Sequence, residues 1–306
     1  MKRETRHIPV LLDDILRILS PKPGNVFVDC TLGLGGHSAA LLERVTPRGR
    51  LIGIDFDPAN IAIARTKLGA VPDGPFDLFH NNFAALPTVL AQAGVERVDG
   101  ILADLGVASP QIDDPARGFS YRQPGPLDMR MDPTRGQPAS VLINRMKEQE
   151  IEQALLELGD ETDAPQIARL IVERRRIEPI ETTQDLMAIV CEARDFTLQR
   201  AAGAKLHPAA RTFQALRILV NRELANLERL LAVIPNHLAP GGTAAIISFH
   251  SGEDRKVKDA FRDGLRGGIY SEISREPITA TEAEIRVNPR SRSAKLRFAV
   301  RSNVPV

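Results

Sequence analysis

The feature that most constrains this chain is a short buried strand that ends in an acid and runs directly into a glycine-rich turn. Residues 26–30 read VFVDC and residues 31–36 read TLGLGG, and a helix pattern begins at His37. Glycines at such a junction put no Cβ in the way, so backbone N–H groups at the head of the helix stay open to a ligand. About twenty residues on, a second strand, RLIGID (50–55), closes on Asp55, with Asp57 and Pro58 opening the next helix. An acid at the end of that strand can accept both hydroxyls of a ribose, while Asp57 suits the helix cap. Turn and acid together indicate an adenosine-containing ligand and leave open a nicotinamide cofactor or S-adenosylmethionine. The glycine spacing departs from GxGxxG, which weighs against a dinucleotide.

The alternation continues with a helix over 58–68, a strand over 76–79, a helix over 83–93 and the strand VDGILAD (98–104). Short apolar strands separated by helices call for a parallel sheet covered on both faces, and right-handed crossovers make it doubly wound. The rhythm then breaks. Residues 110–138 are rich in Pro, Gly, Asp and Arg and follow no period, yet 113–132 carry Phe119, Tyr121, Met129 and Met131, which suit a lid better than a solvated linker. Three helix-period segments follow, marked by Ile151 to Leu158, Ile167 to Ile171 and Leu186 to Val190. After them come a long helix over 208–231, a strand over 243–249, a helix over 253–261, a helix start capped by Thr279 with Glu282, and a strand over 294–300. The organisation expected is a core of residues 1–109 and 206–306, with 110–205 forming a lid loop and an inserted helical domain.

Composition narrows the function classes. In 306 residues, 43% hydrophobic and 26% charged, a sizeable core is available to a globular fold. Forty Lys and Arg stand against 39 Asp and Glu, so a histone-like nucleic-acid binder is excluded, though local basic patches are not. Aromatics make up 4% with no Trp, which argues against a base-stacking sheet. Cys30 and Cys191 are isolated, so neither a disulfide framework nor a zinc knuckle fits, and no metal constellation accompanies the six histidines. With no secretory signal and no apolar run of about 20 residues, a cytoplasmic protein without membrane or metal partners is expected.

Other candidates cluster at strand ends. Asp104 and Gln111, in DLGVASPQ (104–111), stand where an open α/β sheet places reacting groups, an Asx turn and a loop cap being the alternative. SFHSGEDRKVK (248–258) brings His250, a candidate general base, and Ser251 to the same edge, whereas Glu253 and Asp254 also suit a helix N-terminus. Arg286, Arg290, Arg292, Lys295, Arg297 and Arg301 form a stretch without acids, and Arg174 to Arg176 a second cluster. Two such clusters on a neutral chain fit phosphate contacts.

Eight ordered blocks carry a resemblance over nearly the whole chain: HIPVLL (7–12), TLGLGGHS (31–38), DLGVASPQ (104–111), RGFSY (117–121), LDMRMD (127–132), HPAARTFQALRILVNREL (207–224), SFHSGEDRKVK (248–258) and NPRSRSAKLR (288–297). They are similar to the RsmH (MraW) family, bacterial S-adenosylmethionine-dependent methyltransferases acting on the N4 amine of one cytidine in 16S ribosomal RNA. The resemblance implies a class I (Rossmann-like) core with a helical insertion, S-adenosylmethionine as cofactor, and the small ribosomal subunit as partner, its target in the decoding centre near the P-site codon. Carried over by position, it implies cofactor contacts at Gly35, Gly36, His37, Asp55, Phe83 (near the adenine), Asp104 and Gln111. Asp104, as acceptor of the N4–H, and His250 are the catalytic candidates, and Arg117, Arg130, Arg290, Arg292, Lys295 and Arg297 the candidate RNA contacts. The chain departs from the family at Ala108, usually Ser, and at Gly252, usually bulkier and apolar. Two other readings are a nicotinamide-dependent dehydrogenase, for which no His/Arg or Tyr/Lys pairing is recognisable, and a non-enzymatic small-subunit assembly factor using this fold to bind RNA.

Overall fold

The computed structural model describes residues 8–197 and 207–303; His7 and the expected boundary at residue 206 lie outside the described residues. The chain divides into two compact units, Met1–Gly106 with Leu224–Val306, and Val107–Glu223.

In the first unit the elements run α1 (Leu12–Leu19), β1 (Val26–Asp29), α2 (Gly36–Val45), β2 (Arg50–Asp55), α3 (Pro58–Leu68), β3 (Phe76–His80), α4 (Leu86–Ala93) and β4 (Val98–Asp104). Beyond the second unit the sheet resumes; α11 (Glu223–His237) leads into β5 (Leu238–Ser248), α12 (Ser251–Arg266), β6 (Tyr270–Ile273), β7 (Ile278–Thr279), α13 (Glu282–Val287) and β8 (Lys295–Arg301). The described strands form one sheet in the order β3-β2-β1-β4-β5-β8-β6, with β7 also paired to β8. Pairing is parallel from β3 to β5 and antiparallel where β8 joins β5. The doubly wound, mostly parallel sheet expected from the sequence is therefore present.

Alternation along each strand explains why both faces are covered. Phe27, Leu51, Leu102, Ala245 and Ile247 share a core with Ile15 and Leu19 of α1, Leu41 and Val45 of α2 and Leu68 of α3. Their neighbours Val28, Ile52, Ile101 and Ile246 share the other with Leu90 of α4, Leu230 and Ile234 of α11 and Phe261 of α12. A Cβ on Gly100 of β4 would stand 2.2 Å from Cε1 of Phe27, so glycine there makes room for the ring between paired strands.

The second unit contains α5 (Ser109–Asp113), α6 (Ala139–Arg145), α7 (Glu148–Gly159), α8 (Ala164–Arg175), α9 (Thr183–Ala193) and α10 (Ala210–Asn221). Its core gathers Ile151, Leu155, Ile167, Ile171, Leu186, Val190, Phe213 and Leu216. The aperiodic segment is pinned into this unit. Leu127 N–H donates to Glu181 O (2.8 Å), Thr183 N–H to Gly125 O (2.9 Å) and Met131 N–H to the Asn221 side chain (2.8 Å), while Leu127 and Met129 are fully buried.

Three expectations are corrected. The long helix over 208–231 is two helices, because Arg222 takes a left-handed conformation (φ 53°) and its N–H closes back on Ile218 and Leu219. Phe213 and Leu216 before the break belong to the helical core and Leu227 and Leu230 after it to the sheet core, so the division falls after Glu223 rather than at residue 206. The cap of α13 is Thr281, which accepts the Glu284 N–H, rather than Thr279, which is in β7.

Candidate active site

The sequence-derived candidates of the sheet unit converge on the carboxyl edge of β1, β2, β4 and β5. There the backbone of the Thr31–Gly36 turn is held by Asp55, whose Oδ2 accepts the Gly33 N–H at 2.7 Å. Gly35 has φ 72° and caps α2 without any side-chain bond, leaving first-turn N–H groups without a side-chain acceptor. Close packing makes glycine necessary at both positions: a Cβ on Gly35 would lie 3.2 Å from Cβ of Ala64, and one on Gly36 would lie 2.6 Å from Cγ of Pro9.

Asp55 is more heavily used than its sequence context suggests. Its Oδ1 accepts the Asp57 N–H (2.7 Å) and Asn60 Nδ2 (3.2 Å) in addition to the Gly33 bond on Oδ2. A carboxylate has about four acceptor positions, so Asp55 has room for one further donor rather than for both ribose hydroxyls. Burial raises its pKa to about 6 against the lowering effect of these bonds. Asp57 caps α3 by accepting the Ala59 N–H at 2.9 Å, as expected. Phe83 follows β3 on a single 3-10 turn, partly buried against the sheet core, just beyond His80, the register partner of Asp55.

A cluster of buried carboxyls is the feature that sequence reasoning missed. Asp29, at the end of β1, accepts the Ser38 hydroxyl at 2.6 Å and the Thr31 N–H at 3.1 Å, and burial lifts it to about 6. Asp104 N–H donates to Thr31 Oγ1 at 2.5 Å. Burial, reinforced by the charges of Asp29 and Glu253, lifts the Asp104 carboxyl to about 8. Its Oδ1 is buried and has no hydrogen-bond partner among the described residues, although the side chain as a whole keeps 21% of its surface. His37 bonds Val10 O through Nε2 (2.8 Å) and turns Nδ1 towards Asp104 Oδ2 at 3.7 Å; burial pushes its pKa down to about 4. The signal available in the sequence was an acid closing each of three buried strands.

His250 precedes α12, and its Nε2 lies 3.3 Å from Oε1 of Glu253, whose Oε2 accepts the Phe249 N–H at 2.9 Å. A Cβ on Gly252 would come within 3.2 Å of His250 Nδ1, so glycine at this position gives the imidazole its room.

Gln111 belongs to the helical unit, where it is buried and its Oε1 accepts the Ala108 N–H at 2.8 Å, the loop-cap alternative. The candidate RNA contacts separate into two groups. Arg130 is paired bidentately with Asp128 (2.8 and 2.7 Å), and Arg117 donates to the carbonyls of Arg130 and Met131. Arg297 is corrected: it is 4% exposed and donates to both oxygens of Asp254 (2.6 and 3.3 Å), an internal ion pair without a free guanidinium edge for phosphate. Arg290 and Arg292 are exposed, and Lys295 is half-exposed, lying 3.4 Å from Asp254 at the position paired with Ser248 of β5.

A mostly parallel sheet wound on both faces, an antiparallel strand beside β5 and a glycine turn meeting strand-end acids at the carboxyl edge make this a class I, Rossmann-like methyltransferase fold. The chain belongs to the MraW methylase family, whose family model matches residues 4–302. It is 44% identical over 96% of its length to the ribosomal RNA small subunit methyltransferase H of Heliobacterium modesticaldum, of which 97% is covered. It is 45% identical to proteins of the same name from Nitratidesulfovibrio vulgaris (97% of this chain, 86% of that one) and Geobacter sp. strain M21 (95% and 97%). No helix among the described residues is long and apolar enough to cross a membrane.

Proposed function

We propose that this protein transfers a methyl group from S-adenosylmethionine to the exocyclic N4 amine of a cytidine in the decoding centre of 16S ribosomal RNA, within the small ribosomal subunit. The observation that carries the reading is the carboxyl edge of the sheet: an uncapped helix N-terminus behind a glycine cradle, the buried acceptor Asp55, and the orphaned Oδ1 of Asp104 among other acids. Such a donor set fits a ligand that combines a carboxylate, a ribose and a positively charged sulfur. Gly35, Gly36 and His37 would hold it at the turn, Asp55 would take one ribose hydroxyl, Phe83 would lie near the adenine, and Asp104 would complete the contacts. The names of the relatives support small-subunit ribosomal RNA as the substrate.

When bound, the cofactor supplies an electrophilic methyl group. The chain's own contribution is positioning, because the N4 lone pair of cytosine is delocalised into the ring and attacks poorly. Fixing the amine in line with the methyl can account for up to about 7–11 kcal/mol of the barrier. The target base must leave its stack, at a few kcal/mol, and exposed Arg290 and Arg292, with half-exposed Lys295, would offset that cost through phosphate contacts. Asp104 is the candidate acceptor of the N4–H; His250, with its Nε2 3.3 Å from Oε1 of Glu253, is the second.

Incubation with methyl-labelled S-adenosylmethionine and small subunits lacking the modification tests the reading. One methyl per subunit, mapped to a cytidine N4 in the decoding centre, is the expected result. Label at another atom would overturn the site assignment, and binding to subunits without any incorporation would favour an assembly factor.

A further inference from the structure

We propose that the His37–Asp104 pair holds one exchangeable proton in the ligand-free protein and releases it when a cation enters the site, so that the pair reads the positive charge of the methyl donor. The inference rests on the S-adenosylmethionine reading and adds to it a mechanism for telling the donor from its uncharged-sulfur product.

The geometry assigns the proton. A carbonyl oxygen only accepts, so the 2.8 Å contact to Val10 O fixes the hydrogen of His37 on Nε2. In the neutral ring Nδ1 is then a bare lone pair, and it faces Asp104 Oδ2 at 3.7 Å. A bare nitrogen opposite an ionised carboxylate is repulsive, and a single proton between the two removes the repulsion. Among the described residues no cation compensates Asp104 otherwise. The charged or titratable groups acting on it are Asp29 from β1 and Glu253 from α12, the latter beside His250; Lys67 of α3 acts on His37 and disfavours a second proton there. Among the described residues Oδ1 has no donor, and it is buried from solvent. An ionised Asp104 would thus be a largely buried charge, with one oxygen cut off from any donor, beside two other acids, a situation proteins relieve by neutralising the group. The opposite displacements of His37, to about 4, and of Asp104, to about 8, agree that the proton resides on the carboxyl.

A positive charge delivered to this site reverses the preference, and Asp104 ionises. Methyl transfer then closes the balance. The substrate nitrogen forms its new bond to carbon as the carbon–sulfur bond breaks, the electron pair remaining on sulfur. With the positive charge gone, Asp104 regains its proton affinity and takes up the proton that the nitrogen sheds. The carboxyl ends neutral, as it began.

Calorimetry of S-adenosylmethionine binding to the full chain, in buffers of differing ionisation enthalpy, reads the proton directly. About one proton released per donor bound near pH 7 is expected, falling towards none at about pH 9.5 where Asp104 is already ionised. S-adenosylhomocysteine should release clearly less. Asp104→Asn should bind more weakly and lose the buffer dependence. His37→Gln, which keeps a donor for Val10 and an acceptor facing Asp104, should retain it. Donor binding with equal heats in all buffers near pH 7 would overturn this proposal alone, as would an unchanged proton count in a folded Asp104→Asn. If that variant does not fold, the wild-type series over pH decides. A chain that binds no donor in any buffer overturns the proposed function, and this inference with it.

Discussion

At the scale of single residues, what a side chain does here is decided by the partner it finds, and charge alone misleads. Arg292 and Arg297 lie five positions apart in one basic stretch, yet one is exposed and the other is locked to Asp254 across 43 residues of sequence. Arg297→Ala removes the two-point partner of Asp254, leaving it Lys295 at 3.4 Å, and should cost about 1.5–3 kcal/mol in denaturant unfolding. Arg292→Ala should leave stability within about 0.5 kcal/mol, weaken binding to small-subunit RNA and reduce the salt slope by about 1. A parent-like salt slope for Arg292→Ala would take that residue out of the interface. Asp55→Ala strips acceptors from the Gly33 and Asp57 N–H groups, so a loss of about 1–3 kcal/mol in stability is expected alongside weaker cofactor binding. Unfolding at the parental midpoint would mean that the turn does not depend on Asp55. The glycines, Asp55 and Asp104 were legible as a site because each follows a buried strand. The acids' mutual crowding was not, because a sequence does not show that the ends of β1 and β4 are neighbours.

At the scale of elements, legibility followed burial. β2, α3 and β4 match their sequence-derived limits because both faces of each strand are apolar and Asp57-Pro58 marks the helix start with an unambiguous cap. β6 and β7 went unread. In YSEI only Tyr270 is buried, and IT is two residues long, so neither carries a period. The joint at Arg222 went unread for a different reason: the apolar stripe from Phe213 to Leu231 runs unbroken through it, and the break is a backbone event at one residue serving two cores. A left-handed arginine costs about 1–2 kcal/mol that glycine avoids, less the entropy glycine loses on folding. Arg222→Gly should therefore stabilise by up to about 1 kcal/mol by chemical denaturation, whereas a marked loss would indicate that the arginine side chain, not its backbone, secures the joint.

At the scale of the whole molecule, the buried acids make stability depend on pH in a definite direction. Asp29 and Asp55 at about 6 and Asp104 at about 8 all lie above an unfolded carboxyl near 4, so the native state binds protons that the unfolded chain has released. Their stabilising contribution is fully present below about pH 4 and is lost as pH rises through 6 and then 8. His37, lowered to about 4 from an ordinary value near 6.5, acts oppositely; its contribution is complete above about 6.5 and fades as pH falls towards 4. The two effects overlap below pH 6.5, but between about 6.5 and 8 only the carboxyl trend remains among these groups. The melting temperature of the ligand-free protein should accordingly fall over that interval, and Asp104→Asn, which has no proton to lose, should flatten the upper part of the decline. Saturating S-adenosylmethionine should flatten it too, because a bound cation stabilises the ionised carboxylate that burial alone penalises. A ligand-free melting temperature that stays level or rises from 6.5 to 8 would mean that these carboxyls ionise as easily in the fold as in the open chain, and the electrostatic account of the site would fail with it.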